Sequence, residues 1–236
     1  MTRQNVLISG ASQGLGAELA RLFAARGYGL ALSGRDKDRL DSIAAELRKH
    51  TDVLAITADL RERAQGYHLV ESALAHFGHL DMLINNASTL GGSPMPQLLS
   101  LDDQVFRQVL EVNLVAPLAL IKGIVPSMQR RGSGTVVNIT SDAAVQAYAG
   151  WGAYGSSKAA LEHLSRILSE ELADTGVRVR LVDPGNMNTQ MHADAEPGVD
   201  LSTLPHPRSV APKIIGFLER SSEPFARYEV NLGAAV

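Results

Sequence analysis

A tyrosine and a lysine stand four positions apart in the stretch G-A-Y-G-S-S-K, at Tyr154 and Lys158. On a helix, side chains with this spacing project from the same face. An ammonium group beside a phenol favours the phenolate, so the lysine is expected to lower the tyrosine pKa from about 10 toward neutrality. Such a pair can transfer a proton in catalysis. The alternative is an ordinary solvated surface pair.

Two upstream polar residues are candidates for the same chemistry. Ser141 follows the apolar run T-V-V-N-I-T at 135–140, and a hydroxyl at a strand end can stabilise a developing oxyanion. Asn113 lies in a segment with helical spacing. Each residue alone has a structural explanation, the serine as a turn or cap and the asparagine as a polar helix position.

A glycine-rich turn, G-A-S-Q-G-L-G, places Gly10, Gly14 and Gly16 between a predicted strand and a predicted helix. Glycines allow the backbone to approach a pyrophosphate, whose charge then faces the helix N-terminus. The spacing departs from G-x-G-x-x-G and lacks the Lys-Ser/Thr ending of a nucleoside-triphosphate loop. The alternative is a tight turn without a ligand. The strand–turn–helix context favours dinucleotide binding.

The residues after the second predicted strand bear on the choice of dinucleotide. That strand ends in L-S-G-R-D, so Arg35 and Asp36 both reach the place where the adenosine ribose binds. Arginine suits a 2′-phosphate, whereas aspartate suits a 2′-hydroxyl. Because Asp36 also stands where a helix begins, its carboxylate can cap that helix. The pattern favours NADP(H), with NAD bound through Asp36 as the alternative.

Six short apolar runs alternate with amphipathic segments, which predicts a doubly wound α/β fold. Most runs are continuously apolar, as in strands buried on both faces of a parallel sheet; the sixth alternates, which predicts one less buried face. We expect helices on both faces of the sheet and a single domain over residues 1–236. We also expect a kink or break in the long helical segment at Pro117 or Pro126. The runs lie at 5–9, 28–33, 53–57, 81–85, 135–140 and 177–182.

Composition limits the partners and the compartment. The net charge of −3 gives no reason to expect nucleic acid, and we find no apolar window suited to a membrane span. The chain has no cysteine and its histidines lack ligand spacing, so we expect no metal site and a cytoplasmic location. Residues 186–207 have weak periodicity and three prolines, which predicts a substrate-binding loop or lid.

The chain resembles the short-chain dehydrogenase/reductase family over nearly its whole length. Ser141 precedes Tyr154 by thirteen residues, which matches the serine–tyrosine pairing of that family. The shared motifs are S-G-A-S-Q-G-L-G at 9–16, A-D-L at 58–60, N-N-A-S at 85–88, V-N-L at 112–114, N-I-T-S at 138–141, Y-G-S-S-K at 154–158 and P-G-N-M-N-T at 184–189.

The resemblance implies roles for particular residues. Asn113, Ser141, Tyr154 and Lys158 match the catalytic tetrad, in which the asparagine anchors a water and the lysine binds the nicotinamide ribose. The residues that match cofactor contacts are Gly10, Ser12, Gly14, Leu15, Gly16, Arg35, Asp59, Leu60, Asn86, Ala87, Tyr154, Lys158, Pro184, Gly185, Met187 and Thr189.

Together these features predict an oxidoreductase that transfers hydride between NADP(H) and a carbonyl or secondary alcohol, with Tyr154 as the general acid/base. Aromatic residues between Ser141 and Tyr154 suggest an apolar small-molecule substrate, and simple packing of these rings is the equal alternative. The alternatives are an NAD-linked dehydrogenase of the same fold and a non-catalytic cofactor-sensing or scaffold protein. The helices predicted near 101–131 and 155–174 commonly build the dimer interface of the family, so a homo-oligomer, either a dimer or a tetramer, is expected.

Overall fold

Seven parallel strands form one sheet in the computed structural model, which describes residues 3–230. The order of the strands across the sheet is β3-β2-β1-β4-β5-β6-β7, so the chain reverses its direction of winding between β1 and β4. The strands are β1 (Asn5–Ile8), β2 (Gly29–Gly34), β3 (Val53–Thr57), β4 (Met82–Asn85), β5 (Gly134–Ile139), β6 (Val177–Asp183) and β7 (Phe225–Glu229).

Helices connect the strands and cover both faces of the sheet. Two of them begin at aspartate caps: Asp36 accepts a hydrogen bond from the Arg39 N–H, and Asp102 accepts from Gln104 and Val105. The helices are α1 (Gly14–Ala25), α2 (Lys37–Leu47), α3 (Arg63–Phe77), α4 (Asp103–Leu110), α5 (Ala116–Arg131), α6 (Gly152–Glu171), α7 (Gln190–Ala195) and α8 (Pro207–Arg220). Short 3₁₀ turns lie at Leu98–Ser100 and Asp142–Ala144.

Two apolar layers sandwich the sheet. Along β1 successive side chains alternate between the layers, with Val6 and Ile8 in one and Leu7 in the other. The first layer includes residues of α1, α2 and α8, and the second includes residues of α3 and α5. Burial on both faces explains the continuous apolar runs in the sequence. The predicted doubly wound, single-domain α/β fold is confirmed.

The helix that contains Pro117 and Pro126 is not broken at either proline. Helices α4 and α5 join through a π-helical turn at Glu111–Val115, directly before the proline. Proline has no N–H, and the wider turn accommodates the missing hydrogen bond. The joined helix, Asp103–Arg131, is long and apolar enough to cross a membrane, contrary to the sequence analysis. Half of its most apolar window is buried against the rest of the protein, as in a core helix.

Two parts of the sequence fold differently from expectation. Residues 186–207 contain the short helix α7 rather than an entirely irregular loop. The less buried face predicted for β6 is confirmed at Arg178, which is exposed, and is wrong at Arg180, which is 1% exposed. The Arg180 guanidinium donates hydrogen bonds to the Ser221 carbonyl oxygen at 2.8 Å and the Pro224 carbonyl oxygen at 3.2 Å. The alternation in β6 therefore reflects a buried arginine that binds the connection leading to β7.

Candidate active site

A cleft of about 760 Å³ lies at the carboxyl ends of β1, β2, β4, β5 and β6. Ligands of open α/β sheets bind at this edge, where the winding direction reverses. Nearly all of the predicted site residues line the cleft. Gly16 and Asn113 do not; they lie behind its wall. The predicted residues on the wall are Gly10, Ser12, Gly14, Leu15, Arg35, Asp59, Leu60, Asn86, Ala87, Ser141, Tyr154, Lys158, Pro184, Gly185, Met187 and Thr189.

The glycine turn is packed too tightly for side chains. A Cβ atom at Gly16 would lie 2.3 Å from the Gly10 carbonyl oxygen, and one at Gly10 would lie 2.8 Å from the Ala87 Cα. Gly10 also has a φ of 68°, which disfavours other residues. The Asn86 amide donates to the carbonyl oxygens of Ser9 and Gly10, both at 3.0 Å. Asn86 thus fastens the end of β4 to the turn.

The N-terminus of α1 faces the cleft without a capping side chain. Gln13, the residue before the helix, makes no capping hydrogen bond, and the first turn contains no acidic residue. The exposed N–H groups and the helix dipole therefore present positive potential to the cleft. Together with the glycine turn, this arrangement fits the pyrophosphate of a dinucleotide.

The side chains of Arg35 and Asp36 differ in the contacts that they make with the rest of the protein. Asp36 Oδ1 accepts from the Arg39 N–H at 3.0 Å, and its Oδ2 lies 3.1 Å from Arg39 Nε. The Arg35 guanidinium is exposed and forms no hydrogen bond or ion pair with another side chain within residues 3–230, although its charge acts on Asp59. The Asp59 carboxylate is also engaged, because Arg61 binds it and holds the pKa of Asp59 below its usual value.

Tyr154 and Lys158 are both buried at the inner end of the cleft. The Lys158 Nζ lies 5.5 Å from the centre of the Tyr154 ring and donates to the Ile139 carbonyl oxygen at 2.8 Å. Burial raises the pKa of Tyr154 to about 12, although the Ser141 hydroxyl favours the phenolate. Burial lowers the pKa of Lys158 to about 8. The expectation that the lysine lowers the tyrosine pKa is therefore wrong in this structure, since desolvation dominates.

Ser141 is held at the start of a 3₁₀ turn next to Tyr154. Its hydroxyl accepts a hydrogen bond from the Ala143 N–H at 3.2 Å and donates to Asp142 Oδ1 at 2.9 Å. A second phenol, that of Tyr148, donates to Asp142 Oδ2 at 2.7 Å. The single proton of the serine hydroxyl therefore points toward a carboxylate.

Asn113 supports the site through its buried amide group. Its Oδ1 accepts from the Thr89 N–H at 2.8 Å and from the Ser88 hydroxyl at 3.1 Å. Its Nδ2 donates to the Thr89 carbonyl oxygen and to the Ser157 hydroxyl, both at 2.9 Å. The amide has no remaining capacity for the expected water.

The wall around Tyr154 is mostly apolar. Leu90 and Ala143 form a small buried cluster with Tyr154, against which Met95, Trp151, Met191 and Ala195 pack. The Trp151 ring lies edge-on to Tyr154, with 5.6 Å between the ring centres. An apolar or aromatic ligand therefore finds complementary surface here.

The end of β6 completes the cleft. Asp183 is 2% exposed, and its Oδ1 accepts from the Gly185 N–H at 3.0 Å. Burial raises the pKa of Asp183, and its charge opposes ionisation of Tyr154. Beyond the turn, Thr189 caps α7 by accepting from the His192 N–H at 3.2 Å. Met187 packs against the apolar layer under α1 and α8.

Comparison with known proteins decides the family. The sequence profile described as "short chain dehydrogenase" matches residues 4–200. The chain belongs to the short-chain dehydrogenase/reductase family. An uncharacterised oxidoreductase of Staphylococcus saprophyticus is 30% identical over 92% of this chain and 91% of its own length. The chain is thus an oxidoreductase of this family.

Solved short-chain dehydrogenases have the same fold. An alcohol dehydrogenase of Thermococcus sibiricus, complexed with 5-hydroxy-NADP, is 27% identical with a TM-score of 0.86, over 97% of this chain and 96% of that one. A short-chain dehydrogenase of Shigella flexneri, complexed with NADP, is 26% identical with a TM-score of 0.88 over 97% of both chains. These complexes suggest a nicotinamide cofactor for the chain.

The sequence analysis assigned no role to four residues of this region. Ser157 donates to the Tyr154 carbonyl oxygen at 2.6 Å and connects Tyr154 with Asn113. Asp142 and Asp183 place carboxylates beside the catalytic candidates, and Thr89 binds Asn113. The sequence could have indicated Ser157, which lies about one helical turn after Tyr154. It could also have indicated Asp183, which stands at the end of a predicted buried strand. The Thr89 contact has no local signature.

Proposed function

We propose that the protein is an NADP(H)-dependent reductase that transfers hydride from the nicotinamide to a carbonyl group and yields a secondary alcohol. The observation that carries the choice of cofactor is the contrast between Arg35 and Asp36. The Asp36 carboxylate is occupied as a helix cap and by Arg39, so it is a poor ligand for a ribose hydroxyl. The Arg35 guanidinium remains available for a 2′-phosphate.

The bound dinucleotide supplies the hydride. Tyr154 donates the proton that the substrate oxygen needs, and a pKa of about 12 keeps the phenol protonated at physiological pH. Lys158, with a pKa of about 8, can then return a proton to Tyr154. Ser141 stabilises the developing charge on the oxygen by turning its hydroxyl away from Asp142. A protonated tyrosine favours reduction over oxidation.

Calorimetric titration with NADPH and with NADH tests the cofactor assignment. We expect NADPH to bind at least tenfold more tightly, because the 2′-phosphate gains a charge-assisted contact. Arg35→Ala should remove most of this preference. Arg107→Ala, which deletes an exposed arginine of α4 outside the cleft, is the matched control.

Other outcomes support the rival functions. Tighter binding of NADH would identify an NAD-linked dehydrogenase that uses Asp36, and the search would turn to alcohols. Binding of either dinucleotide without turnover of any carbonyl or alcohol would favour a cofactor-sensing or scaffold role. An unchanged preference in Arg35→Ala would refute the assignment of Arg35.

We further propose that residues 186–207 cover the substrate. Met187, Thr189, Met191, His192 and Ala195 from this segment line the cleft, which supports such a role. Deletion of α7 should raise the KM for the carbonyl and leave NADPH binding nearly unchanged. Equal losses of both would instead indicate a structural role.

A cytoplasmic homo-oligomer is the proposed state of the protein. Leu118 on α5 and Ile167 on α6 are 37% and 48% exposed, which leaves apolar surface on two helices. Light scattering at working concentration tests the assembly, and a monomer mass would refute it.

The absence of cysteine from the sequence is compatible with a reducing compartment. Fractionation of the native cells tests the location.

A further inference from the structure

Charged residues line the cleft on both sides. On the side that the phosphates of a dinucleotide would occupy, Arg21 of α1, Arg35 after β2 and Arg39 of α2 are balanced by three carboxylates, those of Glu18, Asp36 and Asp59. On the side of β5 and β6, the cleft is lined by the carboxylates of Asp142 and Asp183, and Lys158 is the lining residue there that carries an ammonium. His192 also lines this side, with its ring bound to Glu196 at 3.1 Å.

Asp142 is hydrogen-bonded to Ser141, the residue proposed to contact the substrate oxygen. Its Oδ1 is 2.9 Å from the Ser141 hydroxyl, which in turn adjoins Tyr154. Unlike Asp183, which is 2% exposed, Asp142 is only half-buried and so faces a ligand more directly. Its charge already acts on both nearby phenols, because it raises the pKa of Tyr154 and of Tyr148.

The local backbone does not require the charge of Asp142. Oδ1 accepts the Ala143 N–H at 2.8 Å and Oδ2 accepts the Tyr148 hydroxyl at 2.7 Å, and the first of these bonds would form equally with the oxygen of an asparagine. The carboxylate therefore adds a negative charge beyond the needs of the turn. On a wall that is mostly apolar around Tyr154, such a charge repels anions and admits neutral or cationic groups.

We propose that Asp142 determines substrate specificity by excluding anionic carbonyl compounds, so that the substrate is an uncharged or cationic ketone or aldehyde with an apolar or aromatic body. This inference rests on the proposed reductase function. The apolar body packs against Leu90, Trp151 and Met191. The Lys158 ammonium is buried and donates to the Ile139 carbonyl oxygen, and the negative charge of Asp183 offsets its attraction for a substrate anion.

Two aryl ketones of nearly equal shape test the proposal. In 4-acetylbenzamide the ring carries an uncharged amide, and in 4-acetylbenzoate it carries a carboxylate. Calorimetry measures the binding of each to the protein in the presence of NADP⁺, with which a ketone cannot react. We expect the wild type to bind the amide on the order of tenfold more tightly, because like charges repel at short range in a partly buried site.

Four variants separate charge from shape. Asp142→Asn keeps the size of the side chain and should reduce the preference for the amide to about twofold. Asp142→Glu keeps the charge and should retain the preference. Glu170→Gln makes the same change of charge at the exposed far end of α6 and should match the wild type. Tyr148→Phe removes the phenol that binds Asp142 and should also retain the preference.

The ratio of the affinities for the amide and the carboxylate is insensitive to a general loss of stability. It therefore reports the effect of the Asp142 charge specifically. Equal ratios in the wild type and Asp142→Asn would overturn the proposal. Failure of the wild type to bind 4-acetylbenzamide would also overturn it, since the apolar wall must accept that ketone. Consumption of NADPH with 4-acetylbenzamide is measured separately. Discrimination in binding without turnover would count against the reductase function and leave the role of Asp142 standing.

Discussion

The Lys158 ammonium donates to the Ile139 carbonyl oxygen at 2.8 Å while its nitrogen lies 5.5 Å from the centre of the Tyr154 ring. The lysine is thus anchored to β5 rather than bonded to the phenol oxygen. Both groups are buried, and burial moves their pKa values in opposite directions, upward for Tyr154 and downward for Lys158. Burial shifts both equilibria toward the uncharged form, because the cleft replaces water poorly around an ion.

Replacement of Tyr154 by phenylalanine should lower kcat for carbonyl reduction by 10²-fold or more, because the proton donor is lost. The affinity for NADPH should change by less than about threefold, since the ring and its packing against Trp151 remain. Steady-state kinetics and calorimetry check the two quantities. Tyr67→Phe, at an exposed tyrosine of α3, controls for the loss of a phenol elsewhere. Near-normal turnover in Tyr154→Phe would exclude it as the acid.

Lys158 should make the stability of the fold depend on pH. Its pKa is about 8 in the folded protein and 10.5 when solvated, so folding requires the loss of a proton between these values. The contribution to the free energy of unfolding therefore rises from pH 8 to pH 10.5, by up to about 3 kcal/mol. Below pH 8 Lys158 is protonated in both states, and its buried ammonium lowers the free energy of unfolding by this full amount.

Denaturant unfolding of the wild type and Lys158→Met at several pH values isolates this contribution. The difference between the two free energies of unfolding should shift in favour of the wild type as the pH rises from 7 to 10.5. Other titrating groups cancel in the difference, because both proteins contain them. A difference that stays constant over this range would show that Lys158 is not desolvated as the structure indicates.

Gly16→Ala should destabilise the protein by about 2–4 kcal/mol, since the new methyl group would lie 2.3 Å from the Gly10 carbonyl oxygen and force the turn apart. Binding of NADPH should weaken with it. The matched control is Gly66→Ala on α3, where the methyl group would lie 4.0 Å from its nearest neighbour. Thermal unfolding should show a gain of about 0.5–1 kcal/mol in the control. Changes in stability of the same sign in Gly16→Ala and Gly66→Ala would contradict the tight packing of the turn.

Asn113→Ala should cost about 2–4 kcal/mol of stability, because Thr89 loses partners for its N–H and its carbonyl oxygen inside the protein. Urea unfolding measures this loss. Gln129→Ala removes an exposed amide from the same continuous helix and should leave stability within about 0.5 kcal/mol of the wild type. An Asn113→Ala protein of normal stability but low kcat would instead place the amide directly in the chemistry.

The fold was predictable because its signals are local. Continuous apolar runs indicated strands buried on both faces, and six of the strands lie within a residue of their predicted bounds. The seventh strand, β7, has no such run. Its central Arg227 lies 3.0 Å from the buried Glu162 of α6 and 3.6 Å from Asp183 of β6, so it is held by ionic contacts as well as by the sheet. Contacts between residues so far apart in sequence leave no local pattern.

The sequence by itself determined the architecture, the glycine turn and the spacing that aligns Tyr154 with Lys158. Only the tertiary structure decided how these groups behave. Burial reversed the expected direction of the Tyr154 pKa, and the amide of Asn113 proved to be saturated by Thr89, Ser88 and Ser157. Periodicity and turn chemistry depend on neighbours along the chain, whereas desolvation and hydrogen-bond saturation depend on groups that only folding brings together.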